Sequence, residues 1–162
     1  SNSVNLNSDN GIEEKIEIQN DYPKNQIVTN EVIEDTKAVN WKILIPAIAL
    51  EAEISEGTSK EIMDKYVGHF EETSKSVGNV GLAAHNRGYN VNYFANLKKL
   101  KEGDKIIYKC YGFERTYVVT KNLIITDEDW SYLEKTEKNT ITLITCVENE
   151  PMYRRCIRGE EI

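Results

Sequence analysis

The chain has 162 residues and a mass of 18.6 kDa, with 40% apolar and 29% charged side chains, enough for one globular domain burying roughly 70% of the surface its unfolded chain exposes. Twenty Lys and Arg against 27 Asp and Glu leave a formal charge of −7, and no basic stripe with interleaved aromatics occurs, which excludes nucleic-acid binding. No apolar run reaches the roughly 18–20 residues of a membrane-spanning helix, and the first residues lack the basic start and apolar core of a signal segment.

Residues 1–37 are rich in Asn, Glu, Lys and Ser, with apolar residues too sparse to build a core, and are expected to form a flexible leader carrying one short helix. The texture changes after it, so the folded domain is expected to occupy residues 38–162. Trp41–Leu50 and Ala52–Ile54 have the apolar density and alternation of strands, with Pro46 marking an edge or a bulge. Thr58 followed by Glu61 reads as a capping box, and Ile62, Met63, Tyr66 and Val67 fall on one helical face before Gly68, which predicts a short helix over 59–67.

Val80–Ala84 reads as a buried strand ending at His85. Tyr93, Phe94, Leu97 and Leu100 have helical spacing and predict a second short helix over 92–101. Asp104–Tyr111 and Glu114–Lys121 read as an antiparallel pair joined around Gly112, followed by a helical turn over Thr126–Leu133 and two last strands, Thr140–Cys146 and Tyr153–Arg158. Many strands with a few short helices, and no internal repeat, predict a mostly β fold built as a largely antiparallel barrel.

The ligand supply for a metal is thin: two histidines, His69 and His85, and three cysteines, Cys110, Cys146 and Cys156, with no CxxC pair. The odd count also argues against a disulfide framework and leaves at least one thiol free. Cys146 ends an apolar strand and opens the loop Val147–Pro151, so its thiol is presented at a strand mouth. Cys110, inside a strand, reads as a small buried hydrophobe.

His85 likewise closes a strand and opens a polar loop, where Ala83 and Ala84 allow close approach of another chain; His69 reads as a hydrogen-bonded surface residue. A cysteine nucleophile working on an amide builds charge on the carbonyl oxygen, and Arg154 or Arg155, on the strand that returns after Cys146, can aim a planar set of donors at it.

Together these segments resemble the sortase family of Gram-positive surface transpeptidases. Thr142-Leu143-Ile144-Thr145-Cys146 matches the family's TLxTC signature, and Leu82-Ala83-Ala84-His85-Asn86 is similar to its histidine segment. The blocks Ile45–Thr58 and Phe94–Asp104 add to a resemblance that runs from about Trp41 to the C-terminus. It implies a single eight-stranded sortase-type β-barrel with a few short helices. The implied reaction is cleavage of an LPxTG-like sorting signal between Thr and Gly through a thioester, which an amine resolves.

By the same resemblance Cys146 is the nucleophile, His85 the general acid or base, and Arg154 the transition-state stabiliser, with Ala83, Ala84 and Thr145 lining the groove. Arg154 is preferred because Gly159 follows it by five residues, at the family's spacing, but Arg155 stays an alternative. No metal or cofactor is implied. The implied partners are the sorting-signal peptide and an amine acceptor, either a peptidoglycan precursor or a pilin lysine. The implied site of action is the extracellular face of a Gram-positive cell membrane, reached through an N-terminal anchor outside this sequence.

Subclass marks are mixed. The leader offers only Asp21-Tyr22-Pro23 where pilin-assembling members carry an Asp-Pro-aromatic lid, the segment between Lys121 and Thr140 is short, and Asn86 is similar to members that handle haem-related substrates. Two other readings compete. Cys156-Ile157-Arg158 resembles the end of an L,D-transpeptidase motif but lacks its preceding Ser-His-Gly, and a non-catalytic cell-surface β-barrel would make the His, Cys and Arg a coincidence. A papain-like hydrolase would place its cysteine early, on a helix N-terminus.

Overall fold

The computed structural model describes residues 40–162; the expected leader, its short helix and Asp21–Pro23 lie outside the described residues. The alternation of Trp41, Ile43 and Ile45 against lysine and leucine builds β1 (Trp41–Ile45), whose odd residues are buried. Pro46 lacks the N–H to continue the ladder and starts a single 3-10 turn, Pro46–Ile48. Ala49, at φ 53°, then reverses the chain into β2 (Leu50–Glu56).

A crossover carrying the one-turn helix α1 (Lys60–Met63) leads to β3 (Val67–His69), parallel to β2, and β4 (Asn79–Ala83) returns antiparallel to it. Next come β5 (Lys105–Cys110) and the long β6 (Phe113–Thr126), then β7 (Thr140–Val147) and β8 (Glu150–Glu161). The strands close a barrel in the order β1-β2-β3-β4-β7-β8-β6-β5. Two pairings are parallel, β2 with β3 and β4 with β7, and the other six are antiparallel. Ile43, Leu82, Tyr108, Ile141, Leu143 and Ile157 fill the interior with no exposed surface, each contributing about 1.5–3 kcal/mol by leaving water.

The helices are shorter than their patterns predict. α1 stops at Met63 because Val67 and Gly68 are recruited into β3, where Gly68 pairs with Ser55 and Ala83; sheet pairing outweighs helical propensity there. Its N-cap is Ser59, whose hydroxyl accepts from the Ile62 N–H at 3.3 Å, one residue after the expected Thr58. The expected helix over 92–101 is a run of turns with one 3-10 turn, Leu97–Lys99, although Phe94, Leu97 and Leu100 are all buried. The spacing therefore reports which side chains enter the core, while Asn92, hydrogen-bonded to Tyr89, holds a turn in place of a helix. The turn expected over Thr126–Leu133 shrinks to Ser131–Leu133 because β6 runs on to Thr126.

His69, expected at the surface, is buried beside Trp41 at 1% exposure. Its burial is compensated by hydrogen bonds to Glu56 Oε1 and to the Ser74 carbonyl, both at 2.9 Å.

The close crossing at Gly68 is a sharp constraint: a Cβ there would lie 2.3 Å from the Gly57 carbonyl oxygen, which is backbone and cannot swing aside. Gly68→Ala is expected to destabilise the barrel by about 1–3 kcal/mol, read as a lowered denaturation midpoint at unchanged slope; a wild-type midpoint would show that β3 and the 57–58 segment separate freely.

Candidate active site

In an antiparallel or parallel ladder, paired residues point to the same face. β4 and β7 run parallel with Ala83 opposite Ile144, and the Ala84 N–H extends the pairing to the Ile144 carbonyl. Counting two residues on from each partner, His85 and Cys146 leave adjacent strands at the same rim of the barrel. β8 then returns antiparallel to β7 with Arg154 opposite Cys146, so that three side chains from three neighbouring strands are gathered at one place.

Cys146 is exposed, whereas Cys110 and Cys156 are buried and all three are free thiols. Burial pushes the Cys156 thiol up to about 12 and raises Cys110 as well. Cys156 has no exposed surface, so the L,D-transpeptidase-like use of it has no accessible nucleophile. The Asn86 side chain donates to the Cys146 carbonyl at 3.0 Å, and Arg87 reaches Glu148 and Asn149 in the β7–β8 turn. These contacts tie the histidine loop to the cysteine loop just beyond the last ladder bond.

The two arginines part at the strand alternation. Arg154 shares the face of Cys146, and its Nη1 donates to the carbonyls of Pro151 and Tyr153 at 2.9 and 2.8 Å, in the irregular stretch where the β7–β8 register shifts. Arg155 pairs with Thr145 and donates to Asn122 Oδ1 at 2.6 Å. It lines a cavity of about 70 Å³ next to Cys146, together with Phe94, Lys98, Thr145 and Glu148.

The alanines part in the same way: Ala84 belongs to the core, while Ala83 stands on the opposite face of β4, level with Ile144. Thr145 is buried, and its hydroxyl donates to the Ala84 carbonyl at 2.7 Å. It therefore fastens β7 to β4 immediately before Cys146.

Residues that sequence reasoning did not single out complete the surroundings. Asp64, at the end of α1, lies with Oδ1 3.3 Å from His85 Nε2, and Tyr89 stacks on the imidazole with centroids 3.7 Å apart. Asp64 reads in sequence only as the i+4 partner of Lys60 on a surface helix, and nothing in the polar loop marks Tyr89. The segment between β6 and β7 lies over β4, β7 and β8 at their other end, four to six residues before the rim. Asn79 donates to the Tyr132 and Glu134 carbonyls and accepts from Thr142, while Arg158 donates to Thr142 Oγ1 and the Tyr132 carbonyl.

The family model described as Sortase domain matches residues 43–161. The chain belongs to the sortase family. It is 32% identical over 124 residues to Sortase A of Bacillus anthracis, covering 76% of this chain and 59% of that protein. It is 31% identical over 106 residues to Sortase D of Bacillus subtilis, covering 63% of this chain and 51% of the relative. The chain thus spans a little over half the length of these two curated relatives.

Among solved structures, sortase C-1 from Actinomyces oris superposes with a TM-score of 0.72 at 29% identity, over 75% of this chain and 72% of that one. A lid mutant of Sortase A from Corynebacterium diphtheriae gives 0.71 at 28% identity, over 76% and 70%. These sortases share the barrel and span relatives named A, C and D.

Exposure of one thiol among three predicts selective chemistry. Native protein treated briefly with iodoacetamide near neutral pH is expected to carry one label, on Cys146, with Cys110 and Cys156 modified only after denaturation; peptide mapping by mass reads the result. Equal labelling of Cys156 in the native protein would contradict its enclosure.

Proposed function

We propose that this sortase is a cysteine transpeptidase that cleaves an LPxTG-like sorting signal between Thr and Gly and transfers the acyl group to an amine. The observation that carries the reading is the convergence of Cys146, His85 and Arg154 on adjacent strands at one rim, inside a chain of this family. The Cys146 sulfur attacks the threonine carbonyl, the carbon–nitrogen bond breaks, and His85 gives a proton to the departing glycine amine. The incoming amine then attacks the thioester, gives its proton to His85, and releases the thiolate. Water takes the amine's place when none is available, which makes hydrolysis the default.

Arg154 is assigned to the oxyanion because it shares the face of Cys146. A planar guanidinium can keep two bonds to its own loop and still offer donors to a substrate oxygen. Ala83 and Thr145 are proposed to shape the groove, Ala83 by leaving room for an extended peptide and Thr145 by holding β7 against β4.

The acceptor amine is proposed to be a peptidoglycan precursor or a pilin lysine, so that the enzyme fixes surface proteins to the cell wall or joins pilins. It is proposed to act at the extracellular face of a Gram-positive cell membrane, with residues 1–37 as the leader of a catalytic domain at 38–162. Among the described residues, no helix is long and apolar enough to cross a membrane.

The test is incubation with a library of LPxTG-like peptides, with and without triglycine, and identification of products by mass. Cleavage between Thr and Gly and amine-dependent ligation are expected, both abolished in Cys146→Ala. Arg154→Lys is expected to lower kcat/KM at least about 100-fold, because an ammonium keeps charge but loses the planar donors, and Arg155→Ala to cost far less. Products that persist in Cys146→Ala would refute the nucleophile, and the reverse order of arginine effects would transfer the oxyanion role to Arg155.

A further inference from the structure

An imidazole that shuttles protons has two nitrogens, and which one meets the substrate depends on what holds the other. His85 Nε2 faces Asp64 Oδ1 at 3.3 Å. A carboxylate only accepts, so the contact requires the proton on Nε2. The second oxygen of Asp64 is occupied: Lys60, one turn earlier on α1, donates to Oδ2 at 2.8 Å. That hydrogen bond is the main cause holding the Asp64 carboxyl below its ordinary range, with a smaller contribution from His85. The carboxylate is therefore anionic whenever the enzyme works near neutral pH.

The ring face is held from another segment. Tyr89 stacks on it with an interplanar angle of 10°, and the Lys60 ammonium lies 5.6 Å from the Tyr89 ring centroid. The charged and titratable groups around the imidazole are thus Asp64 and Lys60 on α1, Tyr89 and Arg87 on the loop after β4, Cys146 on β7 and Arg154 opposite it on β8, with Arg87 committed to Glu148.

We propose that Asp64 is a positioning residue that fixes His85 in its Nε2–H form and leaves Nδ1 as the nitrogen that exchanges protons with the departing and incoming amines. The proposal rests on the role of His85 given above. In the first half-reaction the imidazolium keeps Nε2–H on Asp64, and the Nδ1 proton passes to the glycine nitrogen, which receives the electron pair of the broken carbon–nitrogen bond. In the second, the Nδ1 lone pair takes the proton of the attacking amine as the carbon–sulfur bond breaks. Asp64 is never protonated, and its geometry selects the nitrogen.

The test is a ring-nitrogen NMR titration of His85 in the full chain, compared among wild type, Asp64→Asn, Asp64→Ala and Asp64→Glu, with ligation kinetics on each. Wild type is expected to show the neutral ring protonated on Nε2. Asp64→Asn, which keeps size and an accepting oxygen, is expected to retain that tautomer and most of kcat. Asp64→Ala is expected to lose the tautomer preference, with kcat reduced about tenfold or more and KM little changed; Asp64→Glu should restore part of each.

A wild-type ring protonated on Nδ1 would overturn the proposal. So would an Asp64→Ala enzyme whose tautomer and kcat match wild type; where Asp64→Ala does not fold, an Asp64→Asn enzyme whose ring changes tautomer while kcat stays at the wild-type value decides against the proposal in its place. Full ligation activity in His85→Ala would overturn the proposed function instead and leave the tautomer result standing.

Discussion

The parallel pairing of β4 with β7 is the constraint on which the site depends. Parallel neighbours end at the same edge of a sheet, whereas antiparallel neighbours end at opposite edges. The register Ala83 to Ile144 therefore delivers His85 and Cys146 to one rim although 61 residues separate them in the chain. A parallel pair also needs a long connection, and here it is β5, β6 and their flanking loops, which close the other half of the barrel. Catalytic geometry and barrel closure come from one topological choice.

Everything at the rim is then fixed by pleat and by a few polar ties. The β7–β8 hairpin sets Arg154 opposite Cys146, and alternation turns Arg155 toward Thr145 and Asn122. Thr145 fastens its strand to the Ala84 carbonyl, and Asn86 carries the tie one step further to the Cys146 carbonyl. A rigid ladder ending in side-chain bonds holds a nucleophile and its proton carrier better than two free loops would. Its cost is a set of buried hydroxyl and amide groups that must all stay paired, as Asn79, Thr142 and Arg158 are further down the same strands.

Much of this was legible before the structure. β7 reads plainly because Thr140–Cys146 is a short run of β-branched and apolar residues ending at a polar loop, the pattern of a strand covered on both faces, as most of β7 is. The strand ends at His85 and Cys146 were visible as the points where apolar runs meet polar loops.

What escaped depends on contacts between distant segments. The 92–101 spacing foretold burial of Phe94, Leu97 and Leu100 but not the turns that achieve it. His69 looks like a surface residue until Glu56 and Ser74 are seen enclosing it. Asp64 and Tyr89 lie 21 and four residues from His85 in sequence, and no local pattern links either to the ring. A crossover between β2 and β3 brings α1, and Asp64 with it, over the histidine.

The most direct test of the account is whether His85 and Cys146 stand side by side at one rim. A His85→Cys variant exposed to a mild oxidant reads that contact without any substrate. The account predicts a disulfide between positions 85 and 146, found by peptide mapping under non-reducing conditions, because neighbouring positions on paired strands bring their Cβ atoms within roughly 4.5–5.5 Å. A variant that keeps both thiols free under the same oxidant would contradict it, showing that the parallel register brings the two residues to one rim without bringing them into contact.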